Sequence, residues 1–261
     1  MEVIGIIPAR YGSTRFEGKL LADLCGKSVI QHTWENAKKA KTIEDIIIAT
    51  DDKRIYNFAK GFGAKVIYTS KAHKSGSDRL TEVVSSIDTK VVVNIQADEP
   101  LIHPTMIDDV VDPILRDDSI HMATLCHKIG NEKDFLDPNV VKVVMDRKGF
   151  ALYFSRAPIP YLLSSFAKAS GDRRAAGERG IVTHYKHIGI YAYTKDFLFT
   201  FKSLPQSRLE KSEKLEQLRV IENGYKIKVI ETKFDTIGID TPEDLMKATD
   251  LIKGARQLSL F

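Results

Sequence analysis

Basic side chains and glycines follow the first apolar segment of the chain. Residues 3–7 form a continuous β-rich run, which is typical of a strand covered on both faces. The next loop carries Arg10, Arg15 and Lys19 together with Gly12 and Gly18. Such a loop is a usual phosphate site in an open α/β sheet, since glycines admit backbone N–H groups and Arg offers paired donors. The alternative is a solvated basic loop with ordinary turn glycines.

This loop departs from the two common nucleotide-binding patterns. Five residues separate Gly12 from Gly18, where a Walker A loop has four, and Leu20 follows Lys19 where that loop has Ser or Thr. The GxGxxG dinucleotide pattern is missing from the segment as well. NAD binding therefore has no support.

Two aspartates lie at the ends of predicted elements, at positions suited to a metal ion. Asp98 comes after the predicted strand at 91–95, and Asp240 lies just before a helix that starts at Pro242 with Thr241 as its cap. Mg²⁺ is typically held by one or two carboxylates plus substrate phosphates. The pair thus indicates a magnesium site, although Asp98 can equally be a turn residue and the acidic group near Asp240 a plain helix start.

Three further groups of residues are weaker signals when each is taken alone. The segment around Gly76 and Arg79 reads as a helix start capped by Ser77 or Asp78, and it can also contact a base edge or a ribose. Arg156 is a candidate for binding a carboxylate. His187 can donate to a hydroxyl, but a single histidine is more often structural.

Strand and helix patterns alternate over the first hundred residues. Apolar runs follow the first strand at 46–49, 66–68 and 91–95. Helical patterns lie between them at 28–39, 54–62 and 78–87. This alternation predicts right-handed βαβ units around a mostly parallel sheet.

Beyond Pro104 the alternation loosens. Helical patterns are found at 106–115, as one amphipathic helix at 208–222, and from 242 onward. Strands are predicted at 121–129, 140–145, 151–154, 188–193 and 227–230. Residues 162–180 have no clear period and are expected to form a mobile loop.

Composition excludes several classes of protein. The chain has 261 residues, 43% hydrophobic and 28% charged, which argues against disorder or a coiled coil. Its net charge of +4 comes from basic residues spread along the chain, so nucleic-acid binding is not expected. We expect no membrane span, no signal peptide and a cytoplasmic location. Cys25 and Cys126 lack metal-binding spacing and are expected to be free thiols.

Segments along nearly the whole chain, in order, resemble one enzyme family. They are IIPARYGSTR (6–15) with GK at 18–19, ATDD (49–52), SGSDRL (75–80), NIQADEP (94–100), VKVVMD (141–146), ALYFSRAPIPY (151–161), KHIGIYAY (186–193), EKLEQLRVIENG (213–224) and GIDTPEDL (238–245). The chain is therefore similar to the 3-deoxy-manno-octulosonate cytidylyltransferases. Sialate cytidylyltransferases share the IIPAR loop, but SRAPIP, KHIGIY and LEQLR match the octulosonate branch.

The resemblance implies an α/β fold of the nucleotide-diphospho-sugar transferase type, with a Rossmann-like, mostly parallel sheet flanked by helices. It implies one domain over residues 1–261, with 1–100 and 225–261 as the nucleotide-binding core and 101–224 as a smaller mixed part for sugar binding and dimerisation. The implied reaction joins CTP and the sugar acid to give a CMP-sugar and pyrophosphate for lipopolysaccharide biosynthesis, with Mg²⁺ and a homodimer.

The resemblance also assigns roles to residues. The implied catalytic residues are Arg10, Lys19 and Asp98, and Asp98 with Asp240 are the implied metal ligands. Further nucleotide contacts are implied for Ala9, Ser13, Arg15, Gly76, Arg79 and Gln96. The sugar-acid pocket is implied to contain Arg156, His187, Tyr191, Glu216 and Gln217.

Two positions depart from the family pattern, and two other functions stay open. Glu17 stands where the family usually has proline, so the loop loses a fixed φ angle and gains a negative charge. Ala97 stands where the family usually has glycine, beside the implied metal site. The alternatives are the same reaction on an 8-amino octulosonate or a sialate, and a sensor that binds CTP without turnover.

Overall fold

One mixed β-sheet organises the chain. The computed structural model describes residues 1–13, 15–73, 75–161 and 183–258. Within these ranges, seven strands of a nine-stranded sheet follow the order β11-β7-β10-β6-β1-β4-β5, and β8 pairs with both β10 and β9. The predicted mobile loop at 162–180 lies outside the described residues.

The strands alternate with helices, as the sequence predicts. The strands are β1 Val3–Ala9, β2 Asp23–Leu24, β3 Lys27–Ser28, β4 Asp45–Thr50, β5 Lys65–Tyr68, β6 Val91–Asn94, β7 Met122–Lys128, β8 Lys142–Met145, β9 Ala151–Ser155, β10 Tyr185–Thr194 and β11 Lys228–Glu231. The α-helices are α1 Val29–Ala37, α2 Lys53–Gly61, α3 Gly76–Val84, α4 Pro104–Arg116, α5 Glu132–Leu136, α6 Lys195–Ser203, α7 Arg208–Glu213, α8 Leu218–Glu222 and α9 Pro242–Leu258.

The first half of the chain forms parallel strands whose carboxyl ends meet at one edge. Strand β1 pairs in parallel with β4 on one side and β6 on the other, and β4 pairs in parallel with β5. Connections that return a parallel strand require a crossover, here the helices α1, α2 and α3. The predicted βαβ core is confirmed, and it places the loops after β1, β4 and β6 side by side.

Helices cover both faces of the sheet. Side chains of α1, α2, α4 and α9 pack into one buried cluster, which contains Trp34 and Met106. Side chains of α3, α6 and α8 pack into a second cluster with Leu80, Phe201 and Leu218. Two apolar layers on one sheet explain why β1, β4 and β6 read as continuous apolar runs.

The second half adds strands of the opposite direction. Strand β10 is antiparallel to β6 and to β7, whereas β11 is parallel to β7. The β8–β9 hairpin extends from β10 through two residue pairs. The resulting sheet is mixed at this end, which agrees with the looser sequence pattern after Pro104.

The prediction of a single helix at 208–222 is wrong. Lys214 has a φ angle of 57° and ends α7, so the chain forms two short helices with a turn between them. Leu215 and Leu218 are both buried, so the apolar pattern continues through the turn and hides it. Helices α5 and α6 also form without having been predicted. The break places Glu216 and Gln217 in the turn rather than in mid-helix.

No helix in the described part of the chain is long and apolar enough to cross a membrane.

Candidate active site

The loop after β1 is held by packing of Gly18 on Tyr11. The Gly18 N–H donates to the Tyr11 carbonyl at 3.3 Å, and Gly18 has a φ angle of 70°. A Cβ at this position would lie 2.9 Å from the Tyr11 hydroxyl, so both the backbone angle and the space require glycine. The Arg54 guanidinium stacks on the Tyr11 ring, 3.2 Å from the ring centroid. The loop is thus fixed against the start of α2.

The charge of Glu17 acts on Arg54. The pKa of Arg54 is raised first by its hydrogen bond to Asp52, and the charge of Glu17 adds to this effect. Glu17 itself is exposed at the surface. Glu17 forms no ion pair among the described residues, and Arg54 is itself paired with Asp52.

Lys19 brings the two predicted metal ligands together. Its Nζ donates to Asp98 Oδ2 at 2.6 Å and to Asp240 Oδ1 at 2.8 Å. Arg15 donates to the other oxygen of Asp240 at 2.8 Å. Burial alone would lower the pKa of Lys19, but the charges and hydrogen bonds of the two carboxylates raise it above its ordinary value. The site therefore holds a charged ammonium between two carboxylates.

The arrangement of Asp98 and Asp240 fits a magnesium ion that needs substrate oxygens. The Ile239 N–H donates to the Asp98 carbonyl at 2.8 Å, which fixes the segment before α9 against the end of β6. The described residues contain no group of three or more His, Cys, Asp or Glu side chains that could hold a metal. Two carboxylates completed by phosphates and water are the usual magnesium environment.

Glu99, next to Asp98, is an acidic residue for which the sequence predicted no role. Its side chain is buried, and its Oε2 has no hydrogen-bond partner among the described residues. Burial and then the neighbouring Asp98 charge raise the pKa of Glu99 to about 8. Glu99 is therefore mainly protonated at neutral pH, and it adds little negative charge beside Asp98. The following Pro100 made the segment read as a strand-ending turn.

The residues predicted to form the nucleotide corner lie at the start of α3, which has a different cap from the one predicted. The Ser75 hydroxyl accepts from the Asp78 N–H at 3.2 Å, and the Asp78 carboxylate accepts from the Ser75 N–H at 3.2 Å. Prediction of Ser77 or Asp78 as the cap is thus wrong, because this reciprocal capping box belongs to Ser75. Gly76 lies against Pro8, whose Cγ would be 3.5 Å from an added Cβ.

Arg79 is buried and already paired. Its guanidinium donates to the Thr69 hydroxyl and, at 3.0 Å, to Asp51 in the loop after β4. These bonds tie α3 to the ATDD segment, so a large part of the Arg79 donor capacity is used inside the protein. In contrast, Arg10 is exposed and has no ion-pair or hydrogen-bond partner among the described residues.

Four predicted sugar-pocket residues and the α3 corner are in contact or close together. Ser77 donates to Glu216 Oε1 at 2.5 Å, which joins the start of α3 to the turn between α7 and α8. Burial raises the pKa of Glu216, and burial and the Glu216 charge raise the pKa of Tyr191. The rings of Tyr191 and His187 lie 5.4 Å apart between centroids. Gln217 Nε2 is buried without a partner among the described residues.

Arg156 is held at the end of β9 by backbone groups. Its Nε donates to the Glu213 carbonyl at 2.8 Å and its Nη1 donates to the Pro138 carbonyl at 2.9 Å. A buried lysine missed by sequence reasoning supports this strand end: Lys142 Nζ donates to three carbonyls, including that of Arg156 at 2.7 Å. Its position in an apolar strand gave no signal of this role.

The remaining predicted residues lie beside these groups. Gln96 follows β6, and its Nε2 donates to the Gly189 carbonyl of β10 at 3.1 Å. Ala9 is the buried last residue of β1, and Ser13 lies in the loop that follows it. The structure thus gathers Arg15, Lys19, Asp98 and Asp240 directly, and it connects the α3 corner to the sugar pocket through Ser77.

The fold and the loop define the class of protein. A family model described as cytidylyltransferase matches residues 4–227. The chain is therefore a nucleotidyltransferase enzyme of the cytidylyltransferase class.

Individual relatives define the family more narrowly. The 3-deoxy-manno-octulosonate cytidylyltransferase of Geotalea uraniireducens is 48% identical over 253 residues, which cover 97% of this chain and 100% of the relative. The protein of the same name from Syntrophotalea carbinolica is 49% identical, with 97% and 100% covered. The chain belongs to the 3-deoxy-manno-octulosonate cytidylyltransferase family.

Solved structures agree with this assignment. A CMP:2-keto-3-deoxy-manno-octonic acid synthetase complexed with CTP has a TM-score of 0.87 and 38% identity, covering 98% of this chain and 100% of that chain. A 4-diphosphocytidyl-2C-methyl-D-erythritol synthase from Anaerococcus prevotii has a TM-score of 0.61 at 15% identity, which shows a shared fold alone.

A Gly18→Ala substitution tests the contact that fixes the loop. We expect a loss of unfolding free energy of about 1–2 kcal/mol from the left-handed backbone, with a further loss from the clash with Tyr11 and a raised KM for CTP. Gly26→Ala is the matched control, because Gly26 has a φ angle of 90° and an added Cβ would meet nothing within 4 Å among the described residues. Urea denaturation and CTP titration compare the two; equal effects would show that the Tyr11 contact is unimportant.

Proposed function

We propose that this protein transfers the CMP group of CTP to 3-deoxy-manno-octulosonate and releases pyrophosphate, as a step of lipopolysaccharide biosynthesis in the cytoplasm. The observation that carries the proposal is the convergence of Lys19, Asp98 and Asp240 at the carboxyl ends of the parallel strands. The names of the relatives and of the solved CTP complex support the choice of nucleotide and sugar.

The proposed step is an in-line displacement at phosphorus. The anomeric hydroxyl oxygen of the sugar acid forms a bond to the α-phosphorus and its proton passes to water, while the bond from that phosphorus to the bridging oxygen breaks and pyrophosphate leaves with the bonding electrons. Such a step depends mainly on positioning and on stabilising negative charge. Arg10, free of partners within the described residues, and the charged Lys19 are suited to bind the triphosphate.

Asp98 and Asp240 would hold Mg²⁺ together with phosphate oxygens. When bound, this ion would neutralise phosphate charge and lower the pKa of the attacking hydroxyl, so that a dedicated side-chain base is unnecessary. Glu99, kept protonated by burial, would leave Asp98 as the main negative charge on its side of the site. Arg15 would keep Asp240 oriented through the contact it already makes.

The sugar acid would occupy the space lined by the α7–α8 turn and β10. The Gln217 Nε2 lacks a partner among the described residues and is buried, so an acceptor on the substrate would relieve an unfavourable state. Tyr191 and His187 line the same region, and Arg156 would bind the carboxylate with its remaining donors. The Ser77–Glu216 contact would hold this pocket against the nucleotide corner.

Pyrophosphate release measured with CTP and a panel of sugar acids tests the function. We expect the highest kcat/KM with 3-deoxy-manno-octulosonate and at least a roughly tenfold lower value for the 8-amino analogue and for a sialate. A higher value for either analogue would assign the enzyme to that sugar. Calorimetric binding of CTP without pyrophosphate release from any acid would instead support a sensor.

An Asp98→Asn substitution tests the metal site. Removing one carboxylate should lower kcat about 100-fold or more, because metal-ion stabilisation of the transition state is worth several kcal/mol. Asp118→Asn, at an exposed position, is the control and should retain full activity. Addition of EDTA should abolish turnover of the wild type. Near-normal turnover of the Asp98 variant at saturating magnesium would contradict the metal role.

We also propose a homodimer formed through the second half of the chain. Among the described residues β9 pairs only with β8, so its other edge is open to a partner strand. Leu152 on β9 is 58% exposed and Tyr161 beyond it is 83% exposed, so both are available for contact with a second copy. Light scattering should give about twice the chain mass of 29.3 kDa. Leu152→Glu should shift this mass toward the monomer, whereas Met246→Glu, also at an exposed apolar position, should not. A monomeric wild type would refute the proposal.

A further inference from the structure

Thr124 is a buried residue of β7 with an unusual set of contacts. Its Oγ1 lies 3.0 Å from His187 Nε2, 3.1 Å from the Ile188 carbonyl oxygen and 2.8 Å from the Ile190 carbonyl oxygen. Three polar partners around one hydroxyl are more than a threonine needs for burial alone. The Thr124 side chain therefore links His187, a predicted substrate-binding residue, to backbone carbonyls of β10, the strand on which His187 lies.

A β-bulge creates this arrangement. In the β7–β10 pair, Leu125 is opposite Ile188 while Thr124 is opposite Tyr191, so Gly189 and Ile190 are extra residues without a partner in the described strand β7. A bulge re-aims the side chains and carbonyls on either side of it. Here the carbonyl oxygens of Ile188 and Ile190 both lie within hydrogen-bond distance of the Thr124 hydroxyl, and the Gln96 amide donates to the Gly189 carbonyl.

The hydrogen-bond count determines the proton position on His187. A hydroxyl has one proton to donate, whereas a carbonyl oxygen can only accept. If the Thr124 proton pointed at His187 Nε2, the hydroxyl lone pairs would face the Ile188 and Ile190 carbonyl oxygens. If the Thr124 hydroxyl instead donates to one of the carbonyl oxygens, its lone pairs face His187 and it accepts a hydrogen bond from an Nε2–H of that ring. Burial lowers the pKa of His187 to about 3, so the ring is neutral and carries a single proton. With that proton on Nε2, where the contact with Thr124 requires it, Nδ1 carries none.

We propose that Thr124 is a positioning residue that fixes the Nε2–H tautomer of His187 and thereby presents Nδ1 as a hydrogen-bond acceptor for a hydroxyl of the sugar acid. The assignment of the ligand rests on the proposed function. His187 Nδ1 has no hydrogen-bond partner among the described residues. The sequence suggested that His187 donates to a hydroxyl. In this proposal Nε2 donates to the Thr124 hydroxyl, and Nδ1 accepts from the hydroxyl of the sugar acid.

The tautomer is tested on the wild-type protein without substrate. Ring nitrogen chemical shifts of His187 in ¹⁵N-labelled protein at neutral pH distinguish a protonated Nε2 from a protonated Nδ1, and His187→Gln assigns the signal. We expect a protonated Nε2 and an unprotonated Nδ1. A protonated Nδ1 would overturn the proposal, whatever sugar the enzyme uses.

Substitutions of Thr124 test its effect on the substrate. Thr124→Val should shift the His187 signals and raise KM for the sugar acid by roughly tenfold, the value of one hydrogen bond, while KM for CTP stays unchanged. Thr124→Ser keeps the hydroxyl and should restore both the signals and KM. Thr89→Val removes a hydroxyl that also donates to backbone carbonyls, at the start of β6, and should leave both unchanged.

Two outcomes separate this proposal from the proposed function. If Thr124→Val leaves the His187 tautomer and the KM for the sugar acid at wild-type values, the positioning role is wrong while the function stands. If no sugar acid of the panel supports turnover in the wild type, the proposed function fails and with it the assignment of the ligand, and the tautomer measurement still decides the role of Thr124.

Discussion

The ammonium group of Lys19, held between Asp98 and Asp240, is the contact on which the site depends. It joins a loop near the start of the chain to residues 79 and 221 positions further on. Two carboxylates brought this close repel each other unless a cation lies between them. Burial lowers the pKa of Lys19, but the charges and hydrogen bonds of the two carboxylates raise it by more, so the ammonium form is favoured. The parallel pairing of β1 with β6 makes the contact possible, because it places the loops that follow these strands at the same edge.

This contact also sets the charge balance that a substrate would meet. Lys19 and Arg15 match the charges of Asp98 and Asp240, so the cluster itself has little net charge to attract a triphosphate. Additional positive charge is therefore required when a triphosphate binds, and the proposed magnesium ion and the exposed guanidinium of Arg10 would supply it. In this setting the protonated state of Glu99 matters, because an ionised carboxylate there would add repulsion at the centre of the site.

Much of the first half of the chain could be predicted from the sequence, because its signals are local. Buried parallel strands read as apolar runs, and the residues that follow them lie at one edge of the sheet, so the Lys19 loop and Asp98 could be expected in one crevice. Their ion pair is a finding of the structure. The break at Lys214 could not be predicted, since Leu215 and Leu218 keep helical spacing through it and stay buried. Nor could the protonation of Glu99, because it depends on burial by segments distant in the chain. The departure at Glu17 was visible in sequence, but the effect of its charge on Arg54 of α2 was not.

Interruptions of regular structure, rather than regular elements, place several side chains of the predicted sugar-acid pocket. The turn between α7 and α8 lets Glu216 reach Ser77 on α3, and beside the bulge in β10 the Thr124 hydroxyl lies within hydrogen-bond distance of His187 and of two β10 carbonyl oxygens. An uninterrupted helix would point neighbouring residues in different directions, and a regular strand would pair every carbonyl with its neighbour. A bulge leaves carbonyls that need a donor, and Thr124 supplies one. Because its proton goes to a carbonyl, the hydroxyl can only accept a hydrogen bond from His187. The geometry of the backbone thereby determines which ring nitrogen carries the proton and which is left as an acceptor.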